Sequence, residues 1–232
     1  MLLRKLLSIA LLLSGACAFA QSVSPVIVEY KGKAAGRIAL TNNTLTPMAV
    51  VLEPQSFSIT PEGNGVYRPL DSDIHVQLSS MSVRLEPGQT YYVFYKATAE
   101  KLPAWFTVYS IFSSLHHTGS LDVRILLPHT VYIYPKKPLS KDKDEVTVTQ
   151  ATWNAKSGKV VCDIENKGPD LNRVQEVRIA SVGKSQSSAG FPLLPGGHRH
   201  LELNWTEKEP PQAVTFQLEH SALKQQLITN DQ

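Results

Sequence analysis

Histidines are the residues in this chain best suited to chemistry, and four of the seven come in two pairs. His116-His117 sits in a turn-like stretch, while His198 and His200 are two apart, so a strand would put both rings on one face. Either pair offers two metal ligands at most. Neither has a Cys or acidic residue spaced in the sequence to complete a tetrahedral set, so solvent-exposed histidine is the expectation. Serine and threonine are plentiful, yet none lies in a G-x-S-x-G turn. No Gly-rich phosphate loop appears, and no cofactor-binding motif is found. Cys162 alternates with Val160 and Ile164 in VVCDIEN, the pattern of a small buried hydrophobe. The sequence offers no catalytic constellation and is read as non-enzymatic.

Backbone chemistry at a sheet edge is the stronger candidate. In residues 121–134, LDVRILLPHTVYIY, the apolar Leu121, Val123, Ile125 and Leu127 alternate with Asp122 and Arg124, the period of a two-faced strand. Past Pro128 come Val131, Tyr132, Ile133 and Tyr134, and Pro135-Lys136-Lys137-Pro138 ends the run. Such a strand is longer than usual. It either serves a large sheet or projects beyond its own sandwich. An exposed edge presents N–H and C=O groups that can take up a strand from another chain, with the apolar row adding side-chain contacts. The same row could instead face this protein's own core.

The elements that would hold such a strand are almost all β. Short β-branched or alternating runs recur at residues 26–30, 37–41, 47–52, 57–60, 82–85, 91–97 and 106–113, separated by turn signals such as Asn42-Asn43-Thr44 and Gly63-Asn64-Gly65. No amphipathic helix is evident before residue 140. After the polar residues 139–145, strands recur at 146–153, 159–166, 175–181, 199–205 and 213–219. The expectation is an all-β chain of two tandem immunoglobulin-like sandwich domains, residues 21–138 and 139–232. No short internal repeat is visible.

Residues 1–20 read as a secretory leader. Arg4 and Lys5 precede an apolar run, and Ala18-Phe19-Ala20 fits a cleavage site before Gln21. A lipid-modified Cys17 is the rival, but the Leu expected before it stands one position too early. Removing the leader leaves 212 of the 232 residues and Cys162 as the single cysteine, so the exported chain forms no internal disulfide. Taking Arg4 and Lys5 from the 23 basic residues leaves 21 against 20 acidic ones. A near-neutral chain does not bind nucleic acid through bulk charge. No run is apolar for long enough to span a membrane, and a periplasmic location is expected.

In their order along the chain, several short motifs resemble those of the periplasmic pilus-assembly chaperones, the PapD-like family. They are Ser22-Val23-Ser24-Pro25, GRIALTNN at residues 36–43, Pro47-Met48-Ala49-Val50, Leu85-Glu86-Pro87-Gly88-Gln89, Leu102-Pro103 and the long strand closed by Pro135. Glu165-Asn166-Lys167-Gly168-Pro169 and Leu194-Pro195-Gly196-Gly197 continue the series in the second half. The resemblance implies two immunoglobulin-like domains and a long G1 strand lent to an incomplete pilin-like sandwich. Leu121, Val123, Ile125 and Leu127 would then be the side chains that fill the client's groove, and an outer-membrane usher would be a second partner. The family also holds the client's C-terminal carboxylate with an Arg on the first strand and a Lys on the long one. Here the matching places are Ile27 or Val28 and Val131 or its neighbours, so the resemblance names no anchor. That departure keeps an alternative in view, a non-catalytic structural or adhesive two-domain module without subunit transfer.

Overall fold

The structure is a computed structural model that describes residues 21–115, 123–140 and 145–230. Residues 1–20, where the sequence suggests a leader, His116-His117, Leu121 and residues 141–144 lie outside the described residues. Within them the chain is all β, and no helix is long and apolar enough to cross a membrane.

Among the described residues the first sandwich contains ten strands: β1 (Ser22–Ser24), β2 (Ile27–Lys31), β3 (Ala34–Thr41), β4 (Met48–Ile59), β5 (Gly65–Pro69), β6 (Ile74–Leu78), β7 (Ser82–Leu85), β8 (Thr90–Ala99), β9 (Ala104–Ser114) and β10 (Arg124–Tyr134). One sheet runs β1-β3-β8-β6; the other runs β2-β10-β9-β4-β5, with β7 also on β4. Alternation explains the packing. Ile38 and Leu40 of β3, Val93 and Tyr95 of β8, Phe106, Val108 and Phe112 of β9, and Val131 and Ile133 of β10 all point into one core. The N-terminal segment changes sheets, since β1 pairs with β3 while β2, three residues on, pairs in parallel with β10.

The second sandwich comprises β11 (Val146–Asn154), β12 (Lys159–Asn166), β13 (Asn172–Ser181), β14 (Lys184–Leu193), β15 (His198–Asn204), β16 (Ala213–Leu218), β17 (Ala222–Gln226) and β18 (Ile228–Asn230). Its sheets run β15-β12-β11-β18 and β14-β13-β16-β17. In β12 the alternation is strict, with Val160, Cys162, Ile164 and Asn166 buried and the residues between them partly exposed. Burial, helped by the charge of Asp163, pushes the Cys162 thiol up to about 12, so it behaves as the apolar filler expected from VVCDIEN.

Each sandwich closes one corner with a buried asparagine. Asn42 Nδ2 donates towards the carbonyls of Thr46, Leu85 and Glu86, and its Oδ1 accepts from the Thr44 N–H and hydroxyl. Asn166 does the same for the carbonyls of Asp170, Leu193 and Leu194 and the N–H of Gly168. Their own N–H groups donate to Gln89 O and Gly197 O. Gly88 and Gly196 turn these two loops at φ of 73° and 66°, where a side chain would be strained. The motifs around Asn42, Leu85, Asn166 and Leu194 are thus the residues of two equivalent corners.

Two strands run through prolines, and of these β4 differs from the two separate runs expected at residues 47–52 and 57–60. β4 is continuous through Pro54, and β10 runs unbroken through Pro128 from Arg124. Pro54 falls between the stretch of β4 paired by β7, which ends at Val51, and that paired by β5, which starts at Gln55. Pro128 lies where only β9 is paired with β10. A strand tolerates proline where one of its edges is free.

Candidate functional site at the open edge of the long strand

One edge of β10 is paired with β9 from Arg124 to Ile133, whereas β2 covers the other only from Thr130 to Tyr134. Among the described residues no strand pairs with that edge over residues 125–129, the backbone arrangement that strand addition requires. The first covering bond is Thr130 N–H to Val26 O at 2.7 Å. Val26 and Ile27, where the cover begins, are themselves half exposed.

The apolar row expected on this strand divides along its length. Val123 is 54% exposed, Ile125 and Leu127 are partly buried against the first core, and His129, Val131 and Ile133 are fully buried in the same direction. Leu121 cannot be placed with them, being outside the described residues. Leu126, on the opposite face, is 53% exposed and was missed in the sequence because it interrupts the alternation. Farther along that face, Tyr132 joins Phe57, Leu171 and Leu194 in an apolar cluster between the sandwiches, with Trp105 and Tyr134 against it.

Polar contacts tie the same seam. Arg173 of β13 ion-pairs with Glu29 of β2 at 2.7 Å and lies over the Tyr132 ring at 5.3 Å. Burial, with the Glu29 charge beside it, pushes the Tyr134 phenol up to about 12. The backbone N–H of His200 donates to Pro61 O at 2.8 Å, which attaches the β4–β5 turn to β15. Val28 and Val131, among the places where the resemblance implies a basic pair, are direct partners in the β2–β10 ladder, and Val131 is fully buried. One position along each strand, Glu29 faces Tyr132 and pairs with Arg173. Neither Glu29 nor Arg173 stands out in the sequence, since 144 positions separate them.

His198 and His200 share a strand face, as their spacing implies. What the spacing could not show is Asp163, brought alongside by the β12–β15 ladder. His198 Nε2 and His200 Nδ1 each lie 3.0 Å from the same Asp163 Oδ1. Both rings converge on one oxygen in a hydrogen-bonding arrangement. Among the described residues no group of three or more His, Cys, Asp or Glu is set out to hold a metal ion.

A residue whose role the sequence leaves unassigned is His129. It is fully buried within β10, with Nδ1 2.6 Å from Pro25 O and Nε2 3.2 Å from the Tyr95 hydroxyl. The Tyr95 hydroxyl is 2.9 Å from that of Tyr30. A His at an inward position of a strand pattern signals a buried polar contact, but its partners come from other strands.

The arrangement of the strands matches that of solved chaperones. The chain is similar to the class 5 fimbriae chaperone CfaA, with 14% identity over 90% of this chain and 99% of that one, at a TM-score of 0.52. The fold is that of the fimbrial chaperones. The YadV chaperone aligns over 88% of this chain and 99% of its own, with 10% identity and a TM-score of 0.57. A structure of the Salmonella enterica SafA pilin in complex with the SafB chaperone aligns over 92% of this chain and 99% of the matched one, with 12% identity and a TM-score of 0.53. No family model and no curated protein matches the sequence. At these identities the likeness establishes the two-sandwich fold.

Proposed function

We propose that this protein is a periplasmic chaperone that lends the free edge of β10 to an incomplete, pilin-like β-sandwich and so caps it until assembly. The single observation that carries the proposal is the edge at residues 125–129, which no described strand pairs because β2 begins its cover at Thr130. An incoming strand would gain main-chain partners there, and Val123, Ile125 and Leu127, with Leu121 before them, would supply apolar contacts at alternate positions. The fold shared with chaperones, one of them solved in complex with a pilin, supports that client class. An outer-membrane usher is the implied second partner. The work is binding throughout, with no covalent step and no cofactor, in two domains taken as residues 21–138 and 139–232.

The apposed Val28 and Val131 favour a second reading, a structural or adhesive module of the same fold that has lost subunit transfer, because no basic pair stands there to hold a client terminus. Co-expression in the periplasm with a pilin-like subunit that lacks its own last strand separates the two. The chaperone reading expects a stable one-to-one complex that Val123→Asp abolishes. Recovery of both proteins as separate monomers would favour the structural module.

A further inference from the structure

The chain of polar groups through His129 has only one consistent proton arrangement. A carbonyl cannot donate, so Nδ1–H must donate to Pro25 O, and Nε2 is left to accept from the Tyr95 hydroxyl. Tyr95 oxygen can then accept from the Tyr30 hydroxyl. Space is tight around these two phenols: a Cβ on Gly36 of β3 would collide with Tyr30 Oη and stand 2.9 Å from Tyr95 Oη. The groups facing the imidazole are therefore the Pro25 carbonyl from the β1–β2 crossing, Tyr95 from β8 and, through it, Tyr30 from β2. From β9, the Thr107 hydroxyl meets only the main-chain oxygen of His129. Among the described residues no carboxylate bonds the ring to compensate a positive charge. Burial holds its pKa below the usual histidine range, against the smaller opposing effect of the Pro25 carbonyl.

The position of this chain matters as much as its chemistry. His129 is the last residue of the free edge, Thr130 is the first one covered, and Pro25 directly precedes the Val26 carbonyl that makes the first covering bond. We propose that the His129–Tyr95–Tyr30 chain sets the point at which the N-terminal strand begins to cover β10, and that protonation of His129 releases this cover and lengthens the free edge. A second ring proton turns Nε2 into a donor and displaces one phenolic proton from the chain. It also leaves an imidazolium without a counter-charge inside the sandwich. Opening the crossing near Pro25 relieves both costs by admitting water. His129 is thus a positioning residue that sets where the edge ends, and its ring, turned into the core, meets no client.

The experiment is amide exchange by NMR on the free, full-length protein from about pH 7.5 to about pH 5, the range a histidine spans. Protection is corrected for the intrinsic pH dependence of exchange, and the His129 ring is titrated in the same samples. Protection of Thr130 is expected to fall by up to about tenfold per pH unit below the ordinary histidine range, while Phe216 in the second sandwich keeps its protection. The ring and the Thr130 amide are expected to titrate with one midpoint. His129→Gln, which retains a donor for Pro25 but does not titrate, should make Thr130 protection independent of pH. A pH-independent Thr130 in the unsubstituted protein, different midpoints for ring and amide, or an equal loss at Phe216 would each overturn the proposal. Should His129→Gln fail to fold, the two midpoints still decide. No client is needed, so this latch and the strand-lending function stand or fall separately.

Discussion

Charge substitutions at Val123 and Ile125 should have opposite signatures in the free protein and the same signature towards a client. Val123 is more than half exposed, so Val123→Asp should change the stability of the free protein by no more than about 0.5 kcal/mol. Ile125 is partly buried against the first core. Losing half of a buried isoleucine costs about 1 kcal/mol. Placing a carboxylate at that partly wet site adds about 1–2 kcal/mol. Ile125→Asp should therefore destabilise the free protein by about 2–3 kcal/mol, a drop in Tm of roughly 8–15 °C for a domain of this size. Against a client the two should converge, because a charge driven into an apolar groove costs about 3 kcal/mol, or roughly a hundredfold in affinity. Thermal melting of the free variants and titration with a strand-deficient pilin-like subunit provide both readouts. A Val123→Asp protein that melts normally and still binds its client with unchanged affinity would refute the assignment of this row to the client.

Asn166→Ala should cost about 2–4 kcal/mol, since it strands buried carbonyls, and calorimetry should show the loss in the second sandwich's transition, with Asn42→Ala doing the same to the first. Cys162, buried and with its thiol pushed up to about 12, should resist an aromatic disulfide reagent at pH about 8 in native protein and react fully in denaturant, as read by mass at that residue. Arg173→Ala should lower stability by under about 1 kcal/mol, because the Glu29 pair is partly exposed, yet widen the range of angles between the sandwiches in small-angle scattering.

Legibility in the sequence followed burial. Strands with one face in a core, such as β3, β9 and β12, announce themselves by alternation, and so did most of β10. β5 is exposed at every position, and β14 opens on Lys184-Ser185-Gln186-Ser187-Ser188. Both are sheet members whose side chains meet neighbours outside the cores, as Tyr67 does on Phe57 and Tyr109 and Gln186 does at Asn204 O, so no burial alternation marks them. The apolar row on β10 was readable, but not how much of it the first core covers. Periodicity assigns a residue to a face without saying how deep the sandwich is beneath it. The Glu29–Arg173 bridge, the Asp163 carboxylate between two histidines and the partners of His129 all arise from register between distant strands, which no local spacing encodes.

The paired asparagine corners bear on how two such similar halves can look unrelated in sequence. An apolar core accepts many combinations of residues so long as volume is conserved. A buried amide that serves three carbonyls at once has no comparable substitute, because a partly satisfied polar network is worse than none. If the two sandwiches arose by duplication of one ancestral unit, drift would erase the resemblance of their cores first. The asparagine and the Pro-Gly turn it fastens would persist longest, as they do in Asn42 with Pro87-Gly88 and Asn166 with Pro195-Gly196. Such corners are landmarks for aligning the halves of distant two-sandwich proteins whose overall identity has decayed to background.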